Sequence, residues 1–202
     1  MSTLQEFVSS MSKVKGFARL SKYEVELHPP EGMTEANGWK KDIELQCDSI
    51  QMPGHDLKTQ DVQYGSAPVK KMVTAHGYEG KCTATFRLDL NLNIKSYFDI
   101  WQQLAVNPAT HKAQYYDNYI GSMSIFQVGG EVSESYQVTR ITGEIDTRTD
   151  LLQGRTYGVL LEEVYPETVG EISYAASSEN EIATITVGFQ YKKWSTISNL
   201  LN

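Results

Sequence analysis

From Phe17 onward, apolar and polar residues alternate in short runs separated by turn residues, which is the period of a half-buried strand. Tyr23, Val25 and Leu27 interleave with Lys22, Glu24 and Glu26, and His28-Pro29-Pro30-Glu31-Gly32 ends the run. Beyond Asn37-Gly38, Ile43, Leu45 and Cys47 interleave with Asp42, Glu44, Gln46 and Asp48, predicting a second strand with one apolar and one acidic face. Met52-Pro53-Gly54 closes it. The polar stretch through Thr74, broken by Gly65 and Pro68, reads as a long loop of the kind that is functional or disordered. The strictest alternation runs from Lys81 to Asn93, with Cys82, Ala84, Phe86, Leu88, Leu90 and Leu92 on one face. Thr83, Thr85, Arg87, Asp89 and Asn91 occupy the other.

The period then changes to that of a helix, with Ile94, Tyr97, Phe98, Trp101, Leu104 and Ala105 spaced by three and four up to Asn107-Pro108. Tyr119 to Val128 predicts a strand, Gly129-Gly130 a turn, and Ser135 to Ile145 its hairpin partner. Asp146 to Gly154 reads as loop, Tyr157 to Tyr165 as a strand stopped by Pro166, and Glu181 to Lys192 as the last strand. Residues 1–16 form a weakly patterned arm with a helical turn around Leu4, Phe7, Val8 and Met11, and residues 195–202 a short tail. The fold expected for residues 17–194 is mainly β with α+β character: an antiparallel sandwich or open barrel with one flanking helix.

A chain of 202 residues with 40% hydrophobic content can bury one sizeable core, so a single domain is the default. The start, Met1-Ser2-Thr3-Leu4-Gln5-Glu6-Phe7-Val8, lacks the pattern of a signal peptide, and no stretch approaches the roughly 20 apolar residues of a membrane helix. A soluble fate with no membrane insertion is expected. The net charge of −7 speaks against a conventional nucleic-acid-binding surface, although a wall that lets a polyanion slide should also lack basic contacts. Cys47 and Cys82 both fall at apolar positions, consistent with two small buried side chains; a bond between them stays open.

Candidate chemistry is sparse. His28, His55, His76 and His111 lie in turns or loops with no partner at helical spacing, so neither a metal site nor a cofactor site is expected. Nucleophile-elbow, phosphate-loop and Cys-x-x-Cys motifs are missing, and catalytic residues are therefore not assigned. Asp146-Thr147-Arg148-Thr149-Asp150 lacks the Gly and terminal Glu of a calcium loop. Tyr115, Tyr116 and Tyr119 could stack on bases, but without a basic groove they fit a half-buried sheet or subunit interface better.

Several segments, taken in order, carry a resemblance. They are Phe17-Ala18-Arg19 through Val25-Glu26-Leu27, Leu45-Gln46-Cys47-Asp48 with Met52-Pro53-Gly54, and Tyr97-Phe98-Asp99-Ile100-Trp101. The ending adds Val164-Tyr165-Pro166-Glu167-Thr168-Val169-Gly170-Glu171-Ile172 and then Glu179-Asn180-Glu181-Ile182-Ala183 into the final strand. Together they resemble the tail tube protein family of contractile-tailed, T4-like bacteriophages, from Phe17 to Trp194.

The resemblance implies a non-enzymatic virion protein, made in the host cytoplasm, whose copies close into hexameric rings that stack into a tube for DNA ejection. Its implied partners are the tail sheath, baseplate, tape-measure and tail terminator proteins. The implied lumen-facing residues are Asp42, Glu44, Asp48, Thr83, Thr85, Asp89, Thr184, Thr186 and Gln190, with Arg87 pairing a neighbouring acid. Residues 52–74 would be the ring-stacking excursion, with Met52, Pro53, Asp56, Lys58, Tyr64, Lys70 and Lys71 as contact candidates. The chain departs from the family pattern in extra residues including Glu131 to Arg155, expected as an added hairpin within 129–156. Alternatives are a baseplate tube initiator, a secretion-system tube protein, or a monomeric β-barrel enclosing an apolar ligand.

Overall fold

A computed structural model describes residues 17–139, 145–175 and 181–197, together with Leu4, Val8 and Ser9. The strands are β1 (Tyr23–His28), β2 (Cys47–Ile50), β3 (His55–Val62), β4 (Lys70–Tyr78), β5 (Lys81–Arg87), β6 (Gly121–Thr139), β7 (Ile145–Val169), β8 (Thr184–Gln190) and β9 (Lys193–Thr196). The helices are α1 (Lys40–Leu45) and α2 (Asn93–Ala105), with 3₁₀ turns at Glu31–Trp39 and Tyr116–Asn118. The fold is thus mainly antiparallel β with few helices. Among the described residues, no helix is long and apolar enough to cross a membrane. Of the expected arm helix, Leu4, Val8 and Ser9 are helical, while Phe7 and Met11 lie outside the described residues.

The chain divides into two compact units, the larger made of Val25–Ser124 and Val159–Ser195. One sheet of the chain follows the strand order β1-β6-β7-β8-β5-β2, with β9 against β7, while β3 and β4 form a separate two-stranded sheet. One face of the sheet is apolar: Cys82, Ala84 and Phe86 of β5 and Ile185, Val187 and Phe189 of β8 are all buried. Helix α2 covers that face, because its three-four spacing puts Ile94, Tyr97, Phe98 and Trp101 on one buried stripe. Phe98 meets Phe86 at 5.1 Å and Phe189 at 5.7 Å between ring centroids. Burial of each such ring contributes roughly 1.5–3 kcal/mol of transfer free energy. Trp101 also donates its Nε1–H to the Tyr119 carbonyl at 2.8 Å. Gly121 lies where this packing leaves no room, since a Cβ there would sit 2.3 Å from the His28 carbonyl oxygen.

The smaller unit comprises Met1–Glu24, Ile125–Gly158 and Thr196–Asn202. Ile125, Phe126 and Val128 are its buried apolar residues among those described. Its entry segment is held by Val128 N–H donating to the Lys22 carbonyl at 3.1 Å and by the Gln127 amide donating to the same oxygen at 2.8 Å. The Arg155 guanidinium lies 4.0 Å over the Phe126 ring and pairs with Glu24 at 2.8 Å.

Five sequence expectations are corrected. Residues 40–45 are helical, so Asp42 and Glu44 lie on α1 and not on a strand. The alternation there supplies one buried residue, Ile43, and leaves Leu45 exposed, while Lys, Glu and Leu favour a helix and Lys40 pairs with Glu44 one turn on. The strand from Lys81 ends at Arg87, because Leu92 N–H turns back to the Asp89 carbonyl and Leu90 is left fully in solvent. Gly129-Gly130 is not a turn: β6 runs straight through it and β7 covers the expected loop from Asp146 to Gly154. A Cβ at Gly129 would meet the Thr156 methyl at 2.1 Å, so this glycine permits close strand approach. Residues 140–144, between β6 and β7, lie outside the described residues. Pro166 does not stop its strand; it sits at a register shift where β7 continues to Val169 beside β8.

Candidate functional site

The opposite face of β5 and β8 is polar by the same period of two. Thr83, Thr85 and Arg87 pair across the ladder with Gly188, Thr186 and Thr184, and Lys81 with Gln190. The hydroxyls of Thr85 and Thr186 lie 3.3 Å apart and hydrogen-bond to each other. Arg87 forms a short ion pair with Asp48, and Lys81 pairs with Glu167 at 2.9 Å. The surface therefore presents hydroxyls, one amide and locally cancelled charge.

Of the nine expected lumen residues, Asp48, Thr83, Thr85, Thr184, Thr186 and Gln190 come together there. The other three do not. Asp42 is exposed on α1. Glu44 accepts the Leu27 N–H at 2.7 Å inside the fold, which occupies its carboxylate. Asp89 accepts the Ile94 N–H at 3.4 Å and serves the start of α2.

The stretch expected as a loop after Met52 is a β-hairpin, paired from His55↔Tyr78 to Val62↔Lys70 with a register shift between Lys58 and Thr59. Asp56, Lys58, Tyr64, Lys70 and Lys71 are exposed on it, Met52 is exposed before it, and Pro53 is buried. Leu57, Val69, Met72 and Val73 are exposed as well. Sequence reading missed these four because no buried face imposes alternation on a ribbon that is open on both sides. It also missed an aromatic cluster at the hairpin base, where His55 lies 5.0 Å from Trp194, 5.9 Å from His76 and 6.4 Å from Tyr78 between ring centroids. Among the described residues, no group of three or more ligating side chains could hold a metal ion.

No disulfide joins the two cysteines. Cys47 stands opposite Phe86, four residues along β5 from Cys82, so their Cα atoms are separated by about 13 Å of strand rise against the roughly 7 Å a disulfide tolerates. Burial, and then Cys47 nearby, pushes the Cys82 thiol up to about 12. Near the β8–β9 corner, Tyr116, Tyr119 and Tyr165 pack edge to face at 5.4–6.5 Å. Desolvation and a hydrogen bond to Glu163 push the Tyr116 hydroxyl up to about 12.

Comparison with known proteins follows this geometry. The sequence pattern of the phage tail tube protein family matches residues 18–197. The fold is similar to a chain of an extracellular contractile injection system, the PVC sheath-tube complex in its extended state. Identity there is 12%, coverage 98% of this chain and 99% of that one, and the TM-score 0.56. Chains of the anti-feeding prophage baseplate (8% identity, 90% and 95% coverage, TM-score 0.54) and of its tube-terminating cap (12%, 90% and 91%, 0.54) are also similar in fold. No curated protein matches. With the family pattern spanning nearly the whole described chain, the protein belongs to the phage tail tube protein family and is a structural tail tube subunit of the virion tail.

Proposed function

We propose that the subunit closes with copies of itself into hexameric rings that stack into the inner tube of a contractile tail, and that it carries no catalytic activity. The observation that carries this reading is the sheet order: β1 and β2 stand at its two ends, each with one strand neighbour among the described residues. Such edges are an aggregation hazard in a monomer and become ladders when a ring closes. The polar face of β5 and β8 then lines the lumen, where neutral hydroxyls and paired charges give DNA phosphates little to hold. The β3–β4 hairpin reaches the neighbouring ring. Sheath, baseplate, tape-measure and terminator proteins are the expected partners; similarity in fold to chains of a sheath-tube complex, a baseplate and a tube-terminating cap supports the first two and the last.

End-on electron micrographs of purified protein test the ring. Sixfold particles or tubes are expected, and a sample that stays monomeric at high concentration, even on baseplate seeds, would sink the reading. The similarity in fold to a baseplate chain keeps a second reading in view, a tube initiator. An initiator would form single rings that do not elongate alone. A monomeric apolar-ligand barrel finds no support, since the apolar faces of β5 and β8 pack under α2.

A further inference from the structure

The β3–β4 hairpin is exposed along nearly its whole length on both faces. A two-stranded ribbon of this kind is marginally stable by itself. Its direction must therefore be fixed where it leaves the body, and both of its feet end on the same short corner between β8 and β9. At the first foot, Trp194 donates its Nε1–H to the Gly54 carbonyl at 3.1 Å, and its ring meets His55 edge-on. At the second, Tyr191 N–H donates to the Gly80 carbonyl at 2.8 Å, with Gly80 at φ +73° packed beside the Gln190 amide.

The corner is itself fastened to β7. Lys192 N–H donates to the Glu162 carbonyl at 3.1 Å, the Lys192 ammonium pairs with Glu163 at 2.6 Å, and Lys193 pairs with Glu162 at 3.0 Å. Glu163 stands at φ +55°. Two residues, not one, separate the buried Leu161 and Val164, so β7 carries an extra residue where the corner docks.

We infer that the corner Tyr191–Trp194 is a clamp that sets the pose of the hairpin, with Trp194 as its positioning residue. Tyr191 is buried in the core and holds the corner in place, whereas Trp194 is half-exposed and turns its ring and Nε1–H to the hairpin base. Ring closure uses the sheet edges and does not need this grip. Ring stacking, if the hairpin performs it as proposed above, does.

The test compares wild type, Trp194→Ala and Trp194→Phe in the full chain. Hydrogen exchange on unassembled protein reads the clamp directly. Trp194→Ala is expected to speed exchange about tenfold at amides 55–58 and 75–78 while leaving β5 and β8 unchanged, and Trp194→Phe to restore part of the protection through its ring. Tube elongation reads the consequence: Trp194→Ala should form rings at wild-type concentration but require about tenfold more protein to elongate. Unchanged exchange at the hairpin base, or equal loss of protection in β5 and β8, overturns the clamp. Loosened exchange with normal elongation upholds the clamp and removes the hairpin from ring stacking.

Discussion

At the scale of single residues, the fold buries polar atoms without a counterpart, among them the hydroxyls of Tyr97 and Tyr191. Tyr97 is fully buried, and its hydroxyl has no hydrogen-bond partner. Burial first, and the negative charge of Glu44 second, hold its ionisation well above the ordinary tyrosine value. A buried donor that is unsatisfied loses its hydration for nothing, at a cost of about 1–3 kcal/mol. Tyr97→Phe is therefore expected to leave stability unchanged or raise it by about 1 kcal/mol, whereas most core substitutions lower it. Urea denaturation midpoints of the two proteins measure the difference, and a clear loss would reveal a partner for the hydroxyl.

At the scale of elements, the β7–corner contact is pH-dependent, and its sign is fixed by the two partners. The hydrogen bond from Lys192 is the largest influence holding Glu163 below its ordinary 4.5, with a further hydrogen bond from Tyr116. The same pair raises Lys192 above its ordinary 10.5. A depressed carboxylate contributes stability that is complete above 4.5 and is lost as pH falls through the folded value. A raised ammonium contributes stability that is complete below 10.5 and is lost as pH rises through its folded value. The gap in stability between wild type and Glu163→Gln should be flat between those limits and close on acidification below 4.5. Lys192 is exposed and Glu163 partly so, so the gap will be small and will shrink in salt.

The elements also show what the sequence could reveal. β5, β8 and α2 were legible because a buried face imposes strict spacing on Cys82, Ala84 and Phe86, on Ile185, Val187 and Phe189, and on Tyr97, Phe98 and Trp101. Where nothing enforces a face, the pattern misled. Asp42 to Asp48 alternates, yet only Ile43 is buried from α1, and helix-forming residues decide the outcome. Gly129 and Pro166 look like punctuation, but their roles depend on Thr156 and on the β8 register, which are distant in sequence. The polar face formed from β5 and β8 was readable for the same reason as their core. The clamp was not, since it joins Gly54, Gly80, Tyr191 and Trp194 from three parts of the chain.

At the scale of the whole molecule, the proposed lumen makes a charge-insertion experiment decisive. Thr85 and Thr186 lie opposite each other on the polar face, where neither side chain supports the core. The double substitution Thr85→Lys, Thr186→Lys adds two cations per subunit to a lining that otherwise carries paired charge. Rings should still form. DNA passage should become sensitive to ionic strength, because phosphate contacts release counterions and lysines on a ring of subunits act together. Ejection rates measured across a salt series would show a steep dependence absent from wild type; identical, flat profiles would place this face away from the DNA.

If this polar face lines the lumen as proposed, the hydroxyl pair at Thr85 and Thr186 and the ion pair at Arg87 and Asp48 have a mechanical meaning for the tube. Opposite charges held within a few ångströms cancel at short range, and hydroxyls bonded to each other do not compete for phosphates. A duplex moving along such a wall meets shallow, closely spaced wells and no deep ones. Its speed is then governed by viscous drag and by the pressure behind it, and the subunit contributes least to transport where it contributes most to the wall.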